Sequence, residues 1–158
     1  MITTLLIGNA IMLLASIMMV LSGIPKEKKL TLILQTIQIF LAAVGSLVLG
    51  SFSGAINNLS ACVRNILSYN GKLQTIVKTI LIVCTTGFTL LLNDLGIIGL
   101  LPLATSILFI LFMNTKDMVK FSILTISTMV LWVIHDFHIG AYTSAIFSIV
   151  SVFTNIIR

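Results

Sequence analysis

Long uncharged apolar runs alternate along this chain with short polar clusters. The first run, Met1 to Pro25, closes at Lys26-Glu27-Lys28-Lys29. An α-helix rises 1.5 Å per residue, so about 20 apolar residues cross a hydrocarbon core about 30 Å thick, and this run predicts one crossing. Leu30 to Val63 is again uncharged, too long for one crossing and too short for two complete ones. The cluster Gly50-Ser51-Phe52-Ser53-Gly54 supplies a turn, which predicts helices over about Thr31–Leu49 and Gly54–Tyr69, with Arg64 late in the second. Asn70-Gly71-Lys72 is the next turn, and a helix over about Gln74–Leu92 follows. Asn93-Asp94 precedes a fifth span from Leu95 to Met113, and Lys116, Asp117 and Lys120 mark the loop after it. A sixth span runs to His135, and Gly140 opens a seventh that reaches the C-terminus. The expected fold is all-α: a polytopic membrane protein with seven transmembrane helices.

Loop charge tests that count, because basic residues accumulate in short cytoplasmic loops. With seven spans and the N-terminus outside, the inner segments are those around residues 26–29, 70–73 and 115–120 and the C-terminal end. All nine basic residues lie in these segments or at the adjoining helix ends, while the outer turns hold only Asp94 and Asp136 as charges. Six spans would put the two lysine clusters on opposite sides. The expected orientation is N-terminus out and C-terminus in.

Composition sharpens the class. Of 158 residues, 58% are hydrophobic and 8% charged, with a mean hydropathy of +1.21, whereas a soluble domain carries about a quarter charged residues. Seven spans leave no room for a separate soluble domain. That excludes enzymes with a distinct catalytic domain and nucleic-acid binders that need an exposed basic surface. The net charge of +5 is read as topology. The N-terminal run lacks a basic flank and exceeds the about 7–15 apolar residues of a signal peptide, so it is expected to be a retained span. Cys62 and Cys84 lie in apolar runs without CxxC spacing and are expected as buried small hydrophobes. No Ser-His-Asp set, phosphate-cradling glycine loop or paired carboxylate is visible, so no catalysis, cofactor or metal is expected.

Sliding the chain against itself by 90 positions superposes residues 1–68 on 91–158 with 15 identities in 68 positions. Lys26-Glu27 meets Lys116-Asp117, and Gly50 meets Gly140. This predicts a duplicated three-helix unit over 1–69 and 93–158. Each unit has an odd number of spans, so a helix within 70–92 is needed to restore the orientation of the second. The result is a 3+1+3 plan of parallel repeats about an axis along the membrane normal.

Polar groups inside spans are costly and should face protein or a water-filled cavity. Gly54, Asn58, Ala61 and Asn65 share one helical face, and Ser144, Ser148, Ser151 and Asn155 are their repeat partners. Two readings stand: a solute pathway lined by the third and seventh spans, or small-residue stripes that let helices approach and hydrogen-bond. Gln35 and Gln38, three apart on the second span, line an inner vestibule or bond between helices. Asn9 and Thr105-Ser106 carry the same pair of readings. His135, Asp136 and His138 form the densest ionisable group, read as a polar turn at the outer rim or as a gating or proton-linked group. Trp132 is read as a packing or interfacial aromatic, or as a surface for solute stacking. Arg64 either snorkels to lipid phosphate or binds an anionic solute.

The 3+1+3 plan with an outer N-terminus resembles the SWEET and PQ-loop superfamily, which includes sugar facilitators and nicotinamide riboside transporters. The chain is more similar to the bacterial inner-membrane YgjV family. That resemblance rests on Trp132-Val133-Ile134-His135-Asp136-Phe137, Asn155-Ile156-Ile157-Arg158, Leu101-Pro102 at the fifth span and the order of spans. It implies a multi-pass protein of the bacterial cytoplasmic membrane. The SWEET likeness implies substrate-facing asparagines in the third and seventh spans, which Asn65 and Asn155 match by position. The proline-glutamine pair of PQ-loop proteins is absent: Pro102 has Met12 as its repeat counterpart, and neither precedes Gln. The expected function is a facilitator moving a small neutral or weakly polar metabolite by alternating access. The alternatives are a non-transporting receptor or scaffold, or an accessory subunit. The expected partners are the lipid bilayer and a small-molecule solute, not nucleic acid, with a homo-oligomer left open.

Overall fold

A computed structural model describes residues 2–22, 28–112 and 118–157. These form seven α-helices and no strand among the described residues: α1 Ile2–Ser22, α2 Lys28–Val48, α3 Phe52–Tyr69, α4 Thr75–Leu92, α5 Leu101–Phe112, α6 Met118–His138 and α7 Tyr142–Ile157. A 3-10 turn, Ile98–Leu100, leads into α5. Ile2–Ser22, Lys29–Val48 and Thr75–Leu92 are long and apolar enough to cross a membrane, and Ile98–Phe112 is a shorter apolar segment.

The turns show why the helices stop where they do. Gly50 takes φ +83°, and its N–H bonds to Leu47 O while Ser51 N–H bonds to Ser46 O. This is the paired closure of a Schellman motif, whose left-handed residue favours glycine. Gly140, with φ +78°, closes α6 in the same way through Phe137 O and Asp136 O. The turn between α2 and α3 is therefore confined to residues 49–51. Gly54, expected where the turn meets the third helix, is buried within α3, which starts two residues earlier at Phe52. The fifth helix begins at Leu101, not at Leu95. The Asn93 side chain accepts from Leu95 N–H and donates to Gly96 O, an Asx-type turn that holds the chain out of helix, and Pro102 fits the first turn of α5. The sixth helix continues past His135 to His138.

Consecutive helices pack along the chain, and beyond them α1 meets α7 and α3 meets α5. The distribution of side chains is inverted relative to a soluble domain. Large apolar side chains such as Leu6, Ile76, Leu91 and Ile97 are exposed, while Ser46, Ser51, Ser53, Asn57, Asn65, Thr89 and Thr105 are buried. Lipid tails are as apolar as leucine, so no hydrophobic force drives these helices together; small and polar residues are what let them approach and bond. Cys62 is buried as expected, but Cys84 is exposed on α4.

Candidate functional site

Among the described residues, α3 carries more buried polar side chains than any other helix. Ser51 caps it, accepting Gly54 N–H at 3.1 Å. Along the helix Ser53, Asn57, Asn58, Arg64 and Asn65 are all buried. Asn57 Nδ2 bonds to Ser53 O at 2.8 Å and to Thr89 Oγ1 at 3.1 Å, and Ser60 Oγ meets Thr85 Oγ1 at 2.5 Å. These contacts fasten α3 to α4. Cys62 Sγ reaches Thr36 O on α2 at 3.6 Å. Among the described residues, four buried polar atoms have no protein partner: Ser46 Oγ, Ser53 Oγ, Asn57 Oδ1 and Asn65 Nδ2. Three of the four belong to α3. Buried polar atoms are nearly always hydrogen-bonded, so α3 holds unused capacity for polar partners.

His135 and Asp136 do not form an outer rim. His135 is 0% exposed and Asp136 3%, and His138 alone of the three is at the surface. The α6 backbone continues past them, so both lie within its last turns and are covered by the neighbouring elements. His135 Nδ1 lies 3.1 Å from Asp136 Oδ1, and Nε2 lies 2.9 Å from Ser51 Oγ. If the carboxylate accepts Nδ1–H, Nε2 is left to accept the Ser51 hydroxyl, whose oxygen accepts Gly54 N–H; every donor is then satisfied. A Cβ on Gly54 would lie 2.8 Å from Ser51 Oγ and 2.9 Å from His135 Cε1, so this glycine makes room for the imidazole. Trp132 stacks edge-on against the same ring, with centroids 5.4 Å apart. A Ser-His-Asp set therefore exists, contrary to the sequence reading. Its serine is a helix cap with no surface exposure, so no face of the nucleophile is open to a substrate.

Arg64 is also corrected. It does not snorkel to the surface: at 8% exposure it turns inward, donating from Nε and Nη2 to Asn65 Oδ1 at 3.4 and 3.2 Å. Its guanidinium lies over the Phe109 ring of α5, 5.3 Å from the centroid.

Of the other predicted positions, Asn58 and Ser148 are buried, and Gln35, Gln38 and Trp132 are half-buried. The side chains of Ser151 and Asn155 lie outside the described residues. Asn9 bonds between helices: Nδ2 donates to Gly140 O at 2.8 Å, and Oδ1 accepts Thr143 N–H and Thr143 Oγ1–H, each at 3.1 Å. Ser51 and Asn57 were missed by the sequence reading. The helical spacing of Ser53, Asn57 and Ser60 was the available signal, pointing to a second polar face of α3 toward α4. A groove of about 200 Å³ between α2 and α3 is lined by Leu32, Ile33, Thr36, Ile37, Ile66 and Tyr69; it is apolar and separate from the polar stripe.

Helices coated with large apolar side chains around buried asparagine, serine, histidine and arginine define a polytopic helical membrane protein. The chain belongs to the Imp-YgjV family: the family's sequence profile, described as bacterial inner membrane protein, matches residues 6–158. It is a protein of the bacterial inner membrane, in contact with lipid. No curated protein and no solved structure matches it.

Proposed function

We propose that this protein is a small-solute facilitator. In this reading all seven helices cross the membrane, with the N-terminus out and the C-terminus in. It works by alternating access between α1–α3 and α5–α7, joined by α4, and moves a small, weakly polar metabolite along the face of α3. The observation that carries the reading is the buried Asn65, whose Nδ2 has no partner among the described residues, on the same face of α3 as the buried Asn58, because a passing solute with hydroxyl or carbonyl groups supplies the missing acceptor.

The duplicated plan is supported by packing that comes in mates at an offset of 90. α1 against α2 corresponds to α5 against α6, α2 against α3 to α6 against α7, and α1 against α7 to α5 against α3. The turn bonds Gly50–Leu47 and Ser51–Ser46 likewise correspond to Gly140–Phe137 and Ala141–Asp136. Matching halves around a shared seam suit a rocking motion, as in the SWEET-like transporters that the sequence resembles. The Ser51–His135–Asp136 cluster, at the end of the bundle where α3 begins, is the proposed gate or proton-linked element. It ties α6 to the start of α3, and opening the bundle there requires breaking it.

Uptake of labelled sugars, nucleosides and small organic acids into vesicles holding the purified protein tests this. The expected result is saturable flux for at least one solute, lost when Asn58 and Asn65 are both replaced by Leu in a protein that still folds. No flux for any solute would favour a receptor, scaffold or accessory subunit.

A further inference from the structure

We infer that Arg64 and Asn65 form a binding site for one oxyanion, a carboxylate or a phosphate, at the seam of α3 and α5. The inference rests on the reading of α3 as the solute route and deepens it by naming the charge the solute carries. The sequence leaves Arg64 either to snorkel to lipid phosphate or to bind an anionic solute, and its burial favours the second.

The chemistry is one-sided. A guanidinium has five N–H donors. Two of them go to Asn65 Oδ1, which leaves three without an acceptor among the described residues. The Asn65 amide, 1% exposed, presents an Nδ2 that has no partner among the described residues. Adjacent residues thus hold several unused donors, and every acceptor nearby that they use is a single amide oxygen. The guanidinium carbon lies over the Phe109 ring, 5.3 Å from its centroid, and a planar guanidinium fork suits bidentate capture of carboxylate or phosphate.

Charge points the same way. A buried cation without a counter-ion is expensive. The described acids are elsewhere: Asp94 lies in the turn after α4, and Asp136 is paired with His135. Both belong to the end of the bundle where α3 starts. Arg64 is five residues from where α3 ends, about 7 Å along the axis. Glu27 and Asp117 lie outside the described residues.

The experiment measures the melting temperature of the full-length protein in a neutral detergent, with sodium phosphate or sodium acetate titrated against sodium chloride at equal ionic strength. It is repeated in nanodiscs of phosphatidylcholine with and without phosphatidylglycerol. Phosphate or acetate is expected to raise the melting temperature saturably. Arg64→Gln is expected to weaken that binding about 10- to 100-fold, the worth of charge-assisted bonds. Arg64→Lys, which keeps the charge but loses the fork, is expected to fall between. If phosphatidylglycerol alone stabilises, and Arg64→Gln abolishes the effect, the oxyanion is a lipid headgroup and the site stands. The proposal is overturned if no anion or anionic lipid shifts the wild-type protein beyond chloride, or if Arg64→Gln responds as the wild type does. Binding without flux in vesicles would keep this site and remove the facilitator; flux of neutral solutes untouched by Arg64→Gln, without an anion shift, would do the reverse.

Discussion

Two seams join non-consecutive helices in this bundle, and they use asparagine in opposite ways. Between α1 and α7, Asn9 is saturated: its amide nitrogen donates to Leu5 O and Gly140 O, and its oxygen accepts twice from Thr143. Between α3 and α5, Asn65 holds Arg64 with its oxygen and leaves its nitrogen unpartnered, beside a guanidinium that is itself only partly satisfied. A saturated seam gains its full hydrogen-bond energy from the protein and resists opening. An unsaturated one is less stable alone and gains when something else enters. One seam is thus a fastening, and the other is the one we propose as a place to bind.

Breaking the fastening should have the largest effect. Asn9→Leu strands the Gly140 carbonyl and the Thr143 N–H, each a loss of about 1–3 kcal/mol, so destabilisation of about 2–4 kcal/mol is expected in denaturant unfolding of the detergent-solubilised protein. A loss under about 1 kcal/mol would erase the contrast between the seams. Ser51→Ala comes next: it removes the cap of α3 and the partner of His135 Nε2 together, at a cost of about 1–2 kcal/mol. The same assay checks it, and an unchanged unfolding free energy would show that the cluster does not tie α6 to α3. The smallest stability effect is expected for Asn65→Leu, about 1 kcal/mol, because the two bonds it takes from Arg64 are long, 3.4 and 3.2 Å, and removing the unpartnered buried nitrogen offsets part of the cost of stranding the guanidinium. A loss as large as that of Asn9→Leu would mean that Asn65 is a fastening too.

The helices themselves were legible. Turn chemistry at Gly50 and Gly140 and the lengths of the apolar runs placed most boundaries within a few residues, since both act locally. The start of α5 was misplaced because Asn93 folds its side chain back on Leu95 and Gly96, a competition between side chain and backbone that the apolar pattern does not record. Gly54 fits both the turn cluster and the small-residue face of α3 by pattern, and only the structure shows the imidazole lying against it. Cys84 sits in an apolar run like Cys62, yet faces outward. In a membrane helix both faces are apolar, so periodicity does not say which is covered.

What the sequence by itself determined is a seven-helix chain of the membrane class and the polar residues that its interior must accommodate. Which of those residues find partners was decided by the tertiary structure alone. Ser51 meets His135 across 84 positions of sequence, and Asn9 meets Thr143 across 134, pairings that exist only because particular helices cross at particular heights. The physical reason is reach. Backbone bonding and hydropathy act over a turn or two and are written in local order, whereas satisfaction of a buried polar atom depends on whichever helix happens to stand within about 3 Å, and no local pattern specifies that neighbour.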